Sequence, residues 1–124
     1  MIPDDTPASG PGFLVLLNDP FVAEDVVRSI SEHDPTARVV CAESPEAALL
    51  LVQSGGQIAV ALLQMAPEDV PRSALGRWLH AAGTRIALAG DAAEQQGEKC
   101  AYEVLQRPFN SAALLQTLSR ARSA

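Results

Sequence analysis

The sequence predicts an α/β fold in which five parallel strands and five helices alternate, as in a doubly wound (βα)5 sheet. Two observations carry this prediction: five short apolar runs, and intervening segments whose apolar residues recur with helical spacing. Uninterrupted apolar runs of this length are typical of strands that helices cover on both faces. Because crossovers between parallel strands are right-handed, such a chain places helices on both sides of one sheet.

The predicted strands are short and almost uniformly apolar. The first strand follows a segment rich in proline and glycine, and the last ends just before an Arg-Pro-Phe sequence. Residues that favour turns or helix starts bound the strands. In chain order, the predicted strands are residues 13–17, 37–41, 58–63, 85–89 and 101–106.

The predicted helices begin near residues that can accept hydrogen bonds from backbone amides. Asp19, Ser44 and Asn110 are the expected N-caps of the first, second and fifth helices. Asp91 and Glu94 form a possible capping box at the short fourth helix. In chain order, the predicted helices are residues 20–33, 45–53, 72–82, 92–96 and 111–120.

The composition predicts a single soluble domain. The chain has 124 residues, of which 48% are hydrophobic and 19% charged, and this balance excludes a disordered or fibrous chain. Its net charge of −6 argues against a nucleic-acid binder or an anchor on anionic lipid. No apolar run approaches the roughly 18 residues of a membrane span. Because the two cysteines fit neither a disulfide framework nor a zinc site, we expect a reducing, cytoplasmic location.

The composition also divides the chain into segments. Residues 1–12 hold three prolines and two glycines and lack apolar periodicity, so we expect a flexible N-terminal tail there. The ordered domain is predicted at residues 13–121. Residues 122–124 are expected to form a short C-terminal tail.

Two polar segments lie where a doubly wound sheet binds its ligands, beyond the carboxyl ends of the strands. The first, Leu17-Asn18-Asp19-Pro20, contains no glycine, which argues against a dinucleotide-binding turn or a P-loop. The second is Arg107-Pro108-Phe109, followed by Asn110. With these segments and five alternating units, residues 13–121 resemble the receiver domains of bacterial two-component response regulators. The resemblance implies a flavodoxin-like sheet in the order 2-1-3-4-5, a fourth helix about one turn short, and a cis peptide bond before Pro108.

The resemblance also implies where the phosphorylation chemistry of a receiver would lie. The acidic pair that holds Mg²⁺ falls on Leu17 and Asn18. The phosphoryl-accepting aspartate falls on Leu63, or on Gln64 if the following loop is shifted by one residue. The remaining positions, for the hydroxyl of strand four, the aromatic of strand five and the lysine, fall on Ala89, Val104 and Arg107.

None of these residues can perform the chemistry that its position implies. A hard dication needs anionic oxygen ligands, and phosphoryl transfer needs a carboxylate nucleophile together with a metal ion. We therefore expect no catalytic residue, no metal, no cofactor and no enzymatic activity. Asp19 is expected to cap a helix, with a weak metal ligand as the alternative. Arg107 is expected to pair with Asp19 or to be solvated, with an anion donor as the alternative.

The second and third helices carry a candidate interaction surface. In residues 47–52 the apolar stripe is wider than one helix face needs. If Ala48, Leu51 and Val52 face the sheet, Ala47 and Leu50 are left toward solvent. The resemblance implies that Trp78, on the third helix, occupies a position where receivers usually carry a solvated side chain. Scattered surface hydrophobic residues would explain either feature alone, but together Leu50 and Trp78 are a possible interface.

The sequence therefore predicts a phosphorylation-independent pseudo-receiver that acts as a protein–protein interaction module in bacterial two-component-type signal transduction. The implied partner is a sensor kinase, a phosphotransferase, another regulator or a second copy, and neither nucleic acid nor membrane is expected. The alternative is a small-molecule-sensing domain that uses an apolar pocket at Leu17, Leu63 and Ala89. An enzyme or true phospho-acceptor is disfavoured because no nucleophile and base converge.

Overall fold

The computed structural model describes residues 11–123 and contains one sheet of five parallel strands in the order β2-β1-β3-β4-β5. This order is the predicted one. It places β1, β3 and β4 in the interior of the sheet and leaves β2 and β5 at its edges. The strands are β1 (Gly12–Leu16), β2 (Arg38–Ala42), β3 (Val60–Gln64), β4 (Arg85–Ala89) and β5 (Glu103–Val104).

Five helices connect or follow the strands, as predicted, and the fourth has only six residues. Two short 3-10 turns, Pro67–Asp69 and Gly97–Lys99, precede α3 and follow α4. Among residues 11–123, none of the helices is long and apolar enough to cross a bilayer. The helices are α1 (Pro20–His33), α2 (Pro45–Ser54), α3 (Ala74–Ala81), α4 (Asp91–Gln96) and α5 (Ser111–Ser123).

The helices cover the two faces of the sheet and bury two separate apolar clusters. One cluster packs under α1 and α5 and includes Val15 and Leu62. The other packs under α2, α3 and α4 and includes Leu16 and Leu63. Because successive side chains of a strand point to opposite faces, β1 and β3 contribute to both clusters. The apolar runs of the sequence are therefore uninterrupted where a strand is covered on both sides.

The predicted N-caps are present at three helices. The Asp19 Oδ1 atom accepts a hydrogen bond from the Phe21 amide at 2.9 Å, and the Ser44 Oγ atom accepts one from the Ala47 amide at 3.1 Å. The Asn110 Oδ1 atom accepts one from the Ala113 amide. The peptide bond between Arg107 and Pro108 is cis, as the resemblance implies.

Several element boundaries differ from those predicted, most by one or two residues. The third helix begins at Ala74 instead of residue 72, because Ser73 caps it by accepting a hydrogen bond from the Gly76 amide at 2.9 Å. The fifth strand has two residues instead of six. It lies at the edge of the sheet and pairs with β4 alone, and its apolar neighbour Leu105 is buried without extending the strand.

The folded domain is slightly wider than predicted. Its first strand begins at Gly12, and its last helix continues to Ser123 because Ala121 is buried against the sheet. The prediction of a C-terminal tail from residue 122 is therefore corrected for residues 122 and 123. The predicted N-terminal tail lies almost entirely in residues 1–10, which are outside the described residues, as is Ala124.

Candidate functional site

A small cavity lies at the carboxyl ends of β1, β3 and β4, where a doubly wound sheet places its ligand site. The register pairs Gln64, the last residue of β3, with Ala89, the last residue of β4. The cavity has a volume of about 120 Å³. The residues that line it are Leu17, Asp19, Val22, Gln64, Ala89, Gly90, Leu105, Arg107 and Phe109.

Gln64, and not Leu63, is the residue of β3 that faces this cavity. The Gln64 Oε1 atom accepts a hydrogen bond from the Asn18 amide at 2.8 Å, which joins the ends of β1 and β3. Leu63 is fully buried in the cluster under α2, α3 and α4. Neighbouring residues of a strand point to opposite faces, so only one of the two alternatives can line the site. The predicted apolar pocket at Leu17, Leu63 and Ala89 is corrected accordingly.

Val104 also points away from the cavity. It packs against the same cluster as Leu63, while the next residue, Leu105, lines the cavity. Of the predicted positions, the structure thus brings together Leu17, Gln64, Ala89 and Arg107. Asn18 joins them through its backbone amide.

Gly90 allows the Gln64 side chain to pass close to the backbone at the start of α4. Its φ of 101° lies in the left-handed region, which residues that carry a Cβ atom rarely adopt. A Cβ atom at this position would lie 3.0 Å from the Gln64 Cγ atom. Residue 90 is therefore glycine for reasons of both backbone conformation and close approach.

The residues at the site do not fit the Mg²⁺ ion that the receiver resemblance implies. Asp19 supplies the carboxylate at the end of β1, and its Oδ1 atom already accepts from the amides of Phe21 at 2.9 Å and Val22 at 3.4 Å. The side chains of Asn18 and Gln64 offer neutral amide oxygens. Within residues 11–123, no cluster of three or more His, Cys, Asp or Glu side chains is arranged to hold a metal ion.

Arg107 is bound by two acidic residues of α4. Its Nε and Nη2 atoms donate to the two carboxylate oxygens of Glu94 at 2.8 and 2.9 Å, and its backbone amide donates to Glu94 Oε2 at 3.1 Å. Its Nη2 atom also donates to the carboxylate of Asp91. The predicted pairing of Arg107 with Asp19 is therefore wrong. The predicted capping box is wrong as well, because Gly90 is the N-cap of α4.

These contacts stabilise both ionised partners. Hydrogen bonds from Arg107 lower the pKa of Glu94, and the hydrogen bonds to Glu94 and Asp91 raise the pKa of Arg107. The Glu94 side chain is 18% exposed, whereas that of Asp91 is 84% exposed, so Glu94 is the better shielded partner. One guanidinium faces two carboxylates, so the local charge is negative and disfavours binding of an anion.

Sequence reasoning missed Glu94 as the partner of Arg107. The two residues are 13 positions apart and lie on different elements. The acidic residues at positions 91 and 94 were visible, but a capping box explained them locally. Glu68 and Asp69 lie in the 3-10 turn that precedes α3.

Large hydrophobic side chains are exposed away from this cavity. Leu50 is 67% exposed on α2 and Trp78 is 41% exposed on α3. Leu51 is 38% exposed, so the expectation that it faces the sheet is wrong. Ala48 and Val52, expected on the same face, are buried as predicted. Sequence reasoning also missed Phe21, which is 78% exposed in the first turn of α1.

No family model and no curated protein matches the sequence. Solved structures do match it. The chemotaxis response regulator CheY4 of Vibrio cholerae is 21% identical, with a TM-score of 0.66 over 90% of this chain and 98% of that one. A LuxR family DNA-binding response regulator from Silicibacter pomeroyi is 16% identical, with a TM-score of 0.71 over 91% of each chain.

A third match is a response regulator receiver protein from Sinorhizobium medicae, 18% identical, with a TM-score of 0.67 over 94% of this chain and 97% of that one. In each match the likeness extends over nearly the whole length of both chains. The identities are low, so it is the arrangement of strands and helices that is shared. The chain therefore has the fold of response regulator receiver domains.

Proposed function

We propose that this domain is a phosphorylation-independent receiver that acts by binding other proteins in bacterial two-component-type signalling. The observation that carries the proposal is the cavity at the carboxyl ends of the strands. It lies where a receiver would carry its phosphorylation site, yet its polar side chains cap a helix, form an ion pair or join the ends of two strands. The proposal includes the absence of enzymatic activity and a cytoplasmic location.

The first support is the lack of a nucleophile. A phosphoryl group is accepted in receivers by a carboxylate at the end of the third strand, which is the position that the resemblance implies here. Gln64 faces the cavity and carries an amide, which is not nucleophilic enough to form an acyl phosphate. Leu63, its neighbour, is buried and apolar.

The second support is the lack of groups that would stabilise a transferring phosphoryl group. Phosphoryl transfer depends on a cation that neutralises the charge developing on the equatorial oxygens. The carboxylate of Asp19 accepts backbone hydrogen bonds from α1, and the guanidinium of Arg107 is paired with Glu94 and Asp91. An incoming phosphate would have to displace those carboxylates from Arg107.

The third support is the lack of a hydrogen-bonded route from the site to the surface. Ala89 has no hydroxyl to contact a phosphoryl oxygen. Val104, at the position implied for the strand-five aromatic, faces the other side of the sheet. A ligand shifts a conformational equilibrium only through its different affinity for the two states, and none of these residues supplies such a difference for phosphate.

A small-molecule sensor is the less favoured function. Ligand pockets usually have volumes of about 300–1,000 Å³, and this cavity has about 120 Å³. Its apolar lining is completed by Leu105 and Phe109, which belong to or pack against the core under α1 and α5. The partner we propose is therefore a protein: a sensor kinase, a phosphotransferase, another regulator or a second copy of this chain.

Intact-mass measurement after incubation with acetyl phosphate and Mg²⁺ tests the proposal. We expect no added phosphoryl group on the native chain under conditions that label a receiver with an aspartate at the end of its third strand. The matched variant Gln64→Asp should also remain unlabelled, because the metal ligands are still missing. A phosphoryl adduct on the native chain would refute phosphorylation independence.

A further inference from the structure

The outer surface of α2 and α3 carries most of the exposed large hydrophobic side chains of the domain. Four such side chains are exposed in residues 11–123. Leu50 and Leu51 lie on α2 and Trp78 on α3, whereas Phe21 lies alone on α1. Isolated apolar side chains are common on protein surfaces, but three on two neighbouring helices concentrate exposed apolar area on one side of the domain.

The two helices form a single face. Ala48 and Val52 of α2 pack into the same core cluster as Leu75 and Leu79 of α3, so both helices cover the same side of the sheet. Each helix follows one parallel strand and leads to the next, so α2 and α3 run in the same direction. Trp78 stands at the groove between them, where it lines a depression with residues of the last turns of α2.

We propose that this α2–α3 face binds a second copy of the chain in a two-fold symmetric dimer. The two-fold axis runs parallel to the helices, along the groove between α2 and α3. This symmetry places α2 of one copy over α3 of the other, with the helices parallel. Leu50 of each copy then contacts Trp78 of the second copy, so the contact is made twice. The inference rests on the proposed function and identifies one partner for it.

Charge complementarity favours a second copy as the occupant. Within α2, Glu46 is the acidic residue and no basic residue is present, whereas α3 carries the exposed Arg77 and no acidic residue. The proposed symmetry brings the acidic helix of each copy onto the basic helix of the other. A two-fold axis perpendicular to the helices would instead place each helix on its own counterpart and bring like charges together.

The residues around Trp78 allow close approach of the helices. Ala74 and Ala81 are exposed on α3, about one turn before and after Trp78, and their small side chains leave room for α2 of the second copy. Arg77 donates from Nη1 to the Arg72 carbonyl at 2.7 Å, which holds its stem along α3 and leaves its other nitrogens available. Both features are compatible with a helix lying along α3.

The size of the face predicts a weak dimer. Helix α2 has ten residues and is therefore about 15 Å long. Two adjacent helices of this length offer an interface near or below the lower limit of about 1,200 Å² for stable complexes. We therefore expect association in the range from tens to hundreds of micromolar, where it depends on the local concentration of the protein.

Sedimentation velocity from low micromolar to millimolar concentration tests the dimer, and fluorescence provides an independent measurement. Trp78 is the single tryptophan of the chain, so its emission reports on this face alone. Because dimerisation removes Trp78 from water, we expect its emission to shift to shorter wavelength with the same midpoint as the sedimentation change. The protein is used as the full chain in both measurements.

Two sets of variants locate the contact. Leu50→Lys should weaken dimerisation by about tenfold or more, whereas Phe21→Lys, a matched change at a more exposed hydrophobic residue on α1, should leave it unchanged. Glu46→Arg and Arg77→Glu should each weaken the dimer. The double variant should recover much of the loss, since both changes are then present in each copy and the pairs are reversed.

Three results would overturn the dimer: a monomer at every concentration, a dimer that Leu50→Lys leaves intact, or one that Phe21→Lys disrupts equally. A chain that is monomeric and also takes no phosphoryl group from acetyl phosphate would refute the dimer alone. A chain that is phosphorylated yet dimerises through this face would refute phosphorylation independence alone. The two experiments therefore separate the two proposals.

Discussion

The end of β3 brings together two regions of the molecule that obey different constraints. Leu63 is fully buried in the core under α2, α3 and α4. Its neighbour Gln64 borders the cavity and is not part of that core. The core demands volume and apolarity at each position. The cavity edge demands only that polar groups find partners, as Gln64 does with the Asn18 amide. A polar substitution should therefore have different effects at these adjacent positions.

The largest expected effect is that of Leu63→Asp. Burying a carboxylate at a fully enclosed apolar position should lower the free energy of unfolding by about 2–4 kcal/mol. Gln64→Asp, the matched change one residue later, should cost less than about 1 kcal/mol, because water reaches that side chain. Urea unfolding followed by circular dichroism measures both. Equal losses would mean that the cavity edge is as constrained as the core.

A smaller effect is expected for Asp19→Ala. This change removes the N-cap of α1 and should cost about 1 kcal/mol, since the Phe21 amide loses its acceptor. If Asp19 serves only the helix, adding Mg²⁺ should change the stability of neither the native chain nor the variant. Thermal unfolding with and without Mg²⁺ checks this. Stabilisation of the native chain alone would assign Asp19 a metal-binding role.

Removal of the guanidinium should loosen α4 without unfolding the domain. In Arg107→Ala, the contacts from Arg107 to Glu94 and Asp91 are lost. The six-residue α4 then has few other polar contacts with the rest of the domain. Faster hydrogen exchange is expected at the amides of residues 94–96. The matched control Arg28→Ala removes another exposed ion pair, with Asp25 on α1, and should leave exchange in α4 unchanged. Unaltered α4 exchange in Arg107→Ala would contradict this role.

The smallest effect is a pH dependence at Glu94. Because Arg107 lowers the pKa of Glu94 in the folded protein, folding favours the ionised carboxylate. The stabilisation is present above the pKa of glutamate in the unfolded chain and is lost as the pH falls through the lower pKa of the folded state. The stability difference between the native chain and Glu94→Gln should therefore shrink on acidification. A difference that grows instead would show the opposite shift.

Short-range sequence patterns correctly predicted the central strands and the helix N-caps, because these features depend on residues that are close together in the chain. The apolar runs at residues 13–17 and 85–89 became central strands, since strands covered on both faces need apolar residues throughout. Asp19 and Ser44 cap helices through contacts within three residues, so sequence proximity specifies them. The length of the edge strand β5 was overestimated. This strand pairs with β4 alone, and apolar residues at the edge of a sheet can be buried without forming strand hydrogen bonds.

Features that depend on the direction in which a side chain points were harder to predict from the sequence. The sequence placed the acceptor position on Leu63, with Gln64 as the alternative, and a shift of one residue along a strand exchanges the two faces of the sheet. Leu51 was assigned to the buried face of α2, and it is exposed because Ala48 and Val52 already fill that face. Both outcomes depend on how the strand or helix is rotated against its neighbours.

The amino-acid pattern alone predicted the alternation of strands and helices, and the resemblance to receiver domains implied the order of the sheet. The residue types also showed that the positions implied for phosphorylation lack the carboxylates and the hydroxyl that the chemistry needs. The folded structure was needed to show that Gln64 borders the cavity, that Val104 does not, and that Arg107 pairs with Glu94, 13 residues away in the chain. The difference lies in the distance along the chain over which each interaction acts. Apolar periodicity and caps act within a few residues, whereas the partner of a charged side chain is set by elements that meet only after the sheet has formed.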